Sequence, residues 1–277
     1  MIDTGEAIIK TRYGGNGLPL LLLHGHPQTH VMWHKIAGRL AQDFTVVVTD
    51  LRGYGDSSKP PTTPNHEPYS KRAQARDQIE VMRQLGFERF FVAGHDRGGH
   101  CAQRMAIEYP EKISKIAVLD IVPIAELFRH PDGREFGLEY WGWFFLAQPF
   151  DLPERLIGAD PDYYYWHRRW KDEIPDFFTH EAFAESVAAL IILRIFTLFA
   201  KIMERTQRLI SRLKKPTAKI IVASIVRCLH CGASAMNWKN GMTCWRFGAN
   251  GRRTCAGERL IAVIISWKKH QMKFMRN

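Results

Sequence analysis

The residues best suited to chemistry lie in one run, Phe91-Val92-Ala93-Gly94-His95-Asp96-Arg97-Gly98-Gly99. An apolar stretch enters Gly-x-Asp-x-Gly and a helical stretch follows, the pattern of a nucleophile elbow with Asp where Ser is usual. A sharp turn between strand and helix needs small residues on both sides of the nucleophile. It also sets the carboxylate beside a helix N-terminus, where backbone N–H groups and the dipole favour an anion. Asp is also a common helix N-cap, which is the alternative role for Asp96. In a second run, His24-Gly25-His26-Pro27-Gln28, the turn brings the His26 N–H toward the top of a neighbouring strand. Together with the Arg97 N–H it would make a two-donor oxyanion hole, while the imidazoles of His24 and His26 read as structural. Asp120, at the end of another apolar run, can orient a catalytic His, although loops after strands are often acidic for no such reason.

The elements that must carry these residues alternate. Leu18–Leu23, Thr45–Val48, Phe90–Ala93 and Ile113–Leu119 are short apolar runs. Between them, Trp33–Leu40, Tyr69–Leu85 and Arg97–Tyr109 have helical spacing, the last two closed by Gly86 and Pro110. This alternation predicts a mostly parallel sheet with helices on both faces, in which functional residues gather at the carboxyl edge of the strands. From Ile124 to about Glu185 the chain turns aromatic, with Phe128, Phe136, Tyr140, Trp143, Tyr163, Tyr164, Tyr165 and Trp170 among others, and is broken by Pro149, Pro153 and Pro161. That stretch reads as a helical lid over the site or, equally, as plain core packing.

The whole chain, 277 residues with a net charge of +11, invites a nucleic-acid or membrane partner. The charge is not uniform. Residues 186–277 hold 18 Lys and Arg and only two acids, Glu204 and Glu258, a net of +16, and leave residues 1–185 at −5. Four of the five Cys (Cys228, Cys231, Cys244 and Cys255) also lie in this last third. The start has no basic and apolar leader pattern, and the best membrane candidate, Val187–Ala200, is 14 residues long and contains Arg194, which is short for a span. An odd Cys count without an export signal points to a reducing cytosol, hence a cytoplasmic location.

With Asp50-Leu51-Arg52-Gly53-Tyr54-Gly55-Asp56-Ser57 added to the two motifs above, residues 3 to 185 resemble the α/β-hydrolase fold in its dehalogenase and epoxide-hydrolase branch. The similarity is greatest to haloacetate (fluoroacetate) dehalogenases, through His-Gly-x-Pro-Gln, Gly-His-Asp-Arg-Gly-Gly, Leu-Asp-Ile and the lid run Trp143–Leu146. The resemblance implies a two-step reaction without a cofactor or metal. Asp96 displaces halide from a haloacid and becomes an alkyl ester; a His oriented by Asp120 then activates water, while the oxyanion hole of His26 and Arg97 N–H groups holds the charge. Arg97 would bind the substrate carboxylate, and Trp143 would donate to the leaving halide. His100 stands where members of the family usually carry a second carboxylate-binding Arg, and Gly142 where they carry a halide-binding His. An epoxide hydrolase, which activates its substrate with lid tyrosines such as Tyr140 and Tyr163–Tyr165, is the alternative. An inactive hydrolase-fold binding protein is a third. The oligomeric state is left open, a homodimer included.

The family's late catalytic His, in a loop like Cys-Gly-His-Tyr, is missing: His230 lies between two Cys and His270 lacks the context. Permitted codons for Ile261–Lys273, read from the third base of the preceding Leu codon, give Asp-Cys-Gly-His-Tyr-Leu-Leu-Glu-Glu-Ala-Pro-Asp-Glu. That is the missing motif, with its His straddling the codons of Val263 and Ile264. The same frame turns Trp238–Arg246, Arg227–Gly232 and Phe196–Met203 into further family-like segments, four in order. The expectation is a reading-frame change near Ser186, in the gene or in the written sequence. The expected organisation is a hydrolase core over 1–123, a helical cap over 124–185 and a non-family tail over 186–277. The tail's strands would be missing or non-native, leaving the sheet edge bare. The rival reading takes Cys228-x2-Cys231-x12-Cys244-x10-Cys255 as a zinc site on a basic nucleic-acid module. Under the frame reading, a small haloacid or epoxide is the only partner expected, with no nucleic acid and no membrane.

Overall fold

A computed structural model describes residues 1–121, 138, 141–149, 151–167 and 173–190, together with the backbone of three later strands. An antiparallel pair, β1 (Ile2–Asp3) and β2 (Ile8–Ile9), precedes the main sheet. The main sheet contains β3 (Thr11–Gly14), β4 (Leu18–Leu23), β5 (Phe44–Thr49), β6 (Phe90–His95), β7 (Ile113–Leu119), β8 (Ala233–Asn237), β9 (Met242–Phe247) and β10 (Ala262–Ser266), in the order β3-β5-β4-β6-β7-β10-β9-β8. Strands β5, β4, β6 and β7 are parallel. The four apolar runs of the sequence are these four strands. The helices between them are α1 (His34–Leu40, entered by a 3-10 turn at His30–Trp33), α2 (Lys71–Gln84) and α3 (Arg97–Glu108).

Runs without polar alternation arise because both sheet faces are covered. Leu21, Leu23, Val47, Val92, Ile116 and Val118 pack with Ile79 and Met82 of α2 and Cys101 and Met105 of α3. The alternate residues Leu22, Val46 and Val48 pack with Trp33, and Ile36, Ala37 and Leu40 of α1 complete that layer. Helix α2 starts where Ser70 accepts the Ala73 N–H (3.1 Å). It ends where Gly86 takes φ 85° and the Phe87 N–H reaches back to the Met82 carbonyl (2.9 Å). A buried ion pair ties the loop after β5 to α2: Arg52 is held by Asp77 through two contacts of 2.5 and 2.6 Å, both residues being 1% exposed.

The β7 edge is not bare. β10 pairs with it antiparallel, from Ala262↔Leu119 to Ser266↔Lys115, and β9 and β8 continue antiparallel outward. The apolar, β-branched run Ala262-Val263-Ile264-Ile265-Ser266 satisfies the row of N–H and C=O groups that an edge strand presents. The expected open edge is therefore corrected, although the added strands run antiparallel beside a parallel block. In the lid stretch, helices occupy Trp141–Leu146, Leu152–Ala159 and His180–Leu190, with one π-turn at Tyr163–His167. Phe128, Phe136, Tyr140 and Trp170 lie outside the described residues, as do Cys228, Cys231, Cys255, His230, His270 and most of Val187–Ala200. Cys244 falls in β9, of which only the backbone is described.

Candidate active site

Asp96 sits between β6 and α3 with φ 46° and ψ −115°. L residues rarely adopt this backbone, and such strain persists where surrounding contacts enforce it. The glycines make the turn sterically possible. A Cβ on Gly94 would overlap the Gly98 backbone, and one on Gly98 would overlap the carbonyls of Leu23 and His24. The Asp96 backbone is pinned on both sides, its N–H donating to the Leu119 carbonyl (3.0 Å) and its carbonyl accepting the His100 N–H (3.2 Å).

The two roles open to Asp96 are separated by one contact. Its side chain makes no capping bond to α3. Instead, Oδ2 accepts the His26 N–H at 2.9 Å, from the turn after β4. Burial, the largest influence, pushes the carboxyl up; Arg97, His95, the His26 N–H and His100 outweigh it and hold it below the ordinary carboxylate range. Asp96 is thus an anion at neutral pH, half-buried, and aimed at the backbone donor expected from the sequence. Arg97, the other expected donor, opens α3, where first-turn N–H groups point out of the helix end.

The proposed substrate-side residues converge. The Arg97 guanidinium lies 5.5 Å from the centre of the Trp143 ring. His100, 4% exposed, meets the same ring edge-on at 6.0 Å. One cation and one imidazole that act on Asp96 thus meet one indole, although Trp143 is 46 positions beyond Arg97. On the other side, the His26 ring lies edge-on to Tyr54 (6.2 Å) and to Tyr165 of the lid (5.7 Å). Of the other lid tyrosines, Tyr163 is 60% exposed and Tyr164 packs on Tyr165 (4.8 Å).

His24 is structural. Its Nε2 accepts the Leu51 N–H (3.0 Å) and its Nδ1 meets the Gly25 carbonyl (2.8 Å), which fixes a neutral tautomer with the proton on Nδ1. Burial lowers its pKa to about 4, against a smaller upward pull from Asp50. Asp50 receives both the backbone N–H (2.7 Å) and Nδ1 (2.8 Å) of His30, so the tops of β4 and β5 are bound through two histidines.

Asp120 has φ 51° and projects from the end of β7, 45% exposed. Its Oδ2 lies 3.8 Å from Nε2 of His95, the residue before the nucleophile. The sequence reading assigned His95 no role. The signal was the strand register, which sets His95 opposite Leu119 and hence beside Asp120, and register is not written in either segment alone. Among the described residues no group of three His, Cys, Asp or Glu is arranged to hold a metal ion, and no helix is long and apolar enough to cross a membrane.

A mostly parallel sheet flanked by helices, whose β6–α3 turn holds an aspartate in strained backbone, has the architecture of an α/β hydrolase. A family model described as alpha/beta hydrolase fold matches residues 19–169, and the chain belongs to that family. It is 52% identical over 165 residues to a fluoroacetate dehalogenase of Burkholderia sp, covering 60% of this chain and 54% of that protein. It is 40% identical over 109 residues to a soluble epoxide hydrolase of Corynebacterium sp. (strain C12), covering 39% of this chain and 36% of the relative. The chain thus spans about half the length of the dehalogenase it matches, and less of the epoxide hydrolase. Among solved structures, ALR0039 of Nostoc sp PCC 7120, an α/β hydrolase by its description, aligns with TM-score 0.70 and 48% identity over 74% of this chain and 71% of that one.

Proposed function

We propose that residues 1–185 are the body of a hydrolase that removes halide from short haloacids, with Asp96 as the nucleophile. The observation that carries this reading is Asp96, anionic, in strained backbone, its carboxylate bound to the His26 N–H and influenced by Arg97 and His100, which both pack on Trp143. Arg97 would pair with the substrate carboxylate and set its halogen-bearing carbon in line with Asp96. Attack forms a C–O bond and expels halide toward Trp143. Water then attacks the ester carbonyl, the oxyanion rests on the His26 and Arg97 N–H groups, and glycolate leaves as Asp96 is restored. The similarity to a fluoroacetate dehalogenase supports this class of substrate. His100 and Gly142, which replace the family's second Arg and its halide-binding His, favour a haloacid less demanding than fluoroacetate, and chloroacetate is the natural first substrate.

Within the same proposal, the basic tail from Ser186 results from a reading-frame change. The 165-residue similarity to the dehalogenase, 60% of the chain, supports this extent for the body, and the charge step from −5 to +16 supports the break. An epoxide hydrolase is the second reading, favoured by the approach of Tyr165 to the His26 ring. Incubation with chloroacetate and with a styrene-type epoxide separates them: chloride release that disappears in Asp96→Asn is expected. Diol formation without chloride release would favour the second reading.

A further inference from the structure

We infer that His95, which lies beside Asp120, is the general base that hydrolyses the Asp96 ester in this chain. The inference rests on the dehalogenase reading and assigns the step for which the family's late histidine is missing. Three observations meet at this residue. Nε2 of His95 lies 3.8 Å from Oδ2 of Asp120, the acid expected to orient a catalytic imidazole. The opposite nitrogen lies near the nucleophile: the position a Cβ on Gly25 would take is 2.8 Å from His95 Nδ1 and 3.1 Å from Asp96 Oδ2. Those two atoms are therefore at most about 6 Å apart, a separation that one water spans with two hydrogen bonds. Thirdly, position 25 must be glycine for the two side chains to come this close: a Cβ there would meet the Asp96 Cβ at 2.7 Å and His95 Nδ1 at 2.8 Å.

The other nearby imidazoles are turned to different partners. His100 faces the Trp143 ring, and the His26 ring lies against Tyr54 and Tyr165. Among the described residues, His95 is the imidazole paired with Asp120. At 18% exposure its side chain is partly reachable from solvent, yet largely shielded.

The step balances with water alone. His95 Nδ1 takes a proton from water as its oxygen bonds to the Asp96 carbonyl carbon, and Nε2–H, directed at Asp120, stabilises the imidazolium. The tetrahedral oxyanion collapses, the bond from the acyl carbon to the alkoxide oxygen breaks, and the alkoxide takes the proton back to leave as glycolate. Asp96 returns as a carboxylic acid that ionises, releasing one proton to solvent.

The test is a single turnover of chloroacetate on the full chain and on His95→Asn and His95→Gln, quenched over time and read by intact mass and chloride. All three are expected to release one equivalent of chloride and gain one carboxymethyl group on Asp96. The unaltered chain then loses the group, whereas both variants retain it, with hydrolysis slowed on the order of 10²–10⁴-fold. Asp120→Asn, which leaves the imidazole in place, is expected to slow the same step by a smaller factor. Variants that shed the group at the parent rate would overturn the inference. So would a parent that keeps it as long as they do, or variants that never acquire it. Absence of both chloride and adduct in all three proteins has a separate meaning, because it sinks the dehalogenase reading itself.

Discussion

The parallel block of the main sheet and the edge beyond β7 follow different rules. Strands β5, β4, β6 and β7 are parallel, joined through helices, and alternate their side chains between two packed faces. Strands β10, β9 and β8 are antiparallel and attach to β7 from a segment with net charge +16. Around the parallel block, every feature serves one turn: glycines thin the elbow, His24 ties β4 to the loop after β5, and Asp120 ends β7 beside His95. The contrast teaches that sheet continuity and functional completeness are separable. An open edge accepts any β-prone run with free backbone groups, but a catalytic loop requires particular residues at the end of a particular strand.

The strongest way to sharpen this contrast is to replace residues 186–277 with the translation of the third-base frame. Turnover of chloroacetate should rise about 10²-fold or more as the family's histidine loop returns. In that repaired protein, His95→Asn should lose most of its effect. Equal turnover in the two proteins would mean that the tail as written already supplies everything the body needs.

A second comparison concerns stability. Asp77→Asn leaves the buried Arg52 guanidinium with a neutral amide and Glu6, at 3.1 Å, as its carboxylate partner, and should cost about 3 kcal/mol in denaturant unfolding. Ile264→Pro removes a backbone donor from the centre of β10 and should cost the body less than about 1 kcal/mol. Comparable losses would show the tail strands to be integral to the sheet.

Acid stability gives a smaller, graded effect. His24 is neutral in the fold, with its pKa lowered from 6.5 to about 4 by burial. The unfolded chain takes up this proton as pH falls through about 6.5, and the folded chain only near 4. Its contribution is therefore complete above pH 6.5 and is lost as pH falls across that window, by about 3 kcal/mol. Unfolding free energy measured from pH 7 to 4 should fall more steeply than in His24→Asn, whose absolute stability will be lower throughout. Parallel slopes would contradict the neutral, buried assignment.

Much of this was legible in the residues because local sterics are local in sequence. Gly94, Gly98 and Asp96 specify the elbow within five positions, and the capping Ser70 and terminating Gly86 bracket α2. The convergence of Arg97 with Trp143 was legible only through family resemblance, since no periodicity links an elbow to a lid. Two features escaped. The pairing of His95 with Asp120 depends on the β6–β7 register, and the docking of β10 on β7 depends on which edge is open. A strand-forming run states its propensity but not its partner.

The most direct test of the account is one turnover of chloroacetate in heavy-oxygen water with enzyme in excess. Ester formation on Asp96 predicts that the first glycolate carries an oxygen from the enzyme, with the heavy isotope found in the peptide that contains Asp96. Heavy oxygen appearing in the first glycolate, with that peptide unlabelled, would mean that water attacks the substrate directly and that Asp96 is not the nucleophile.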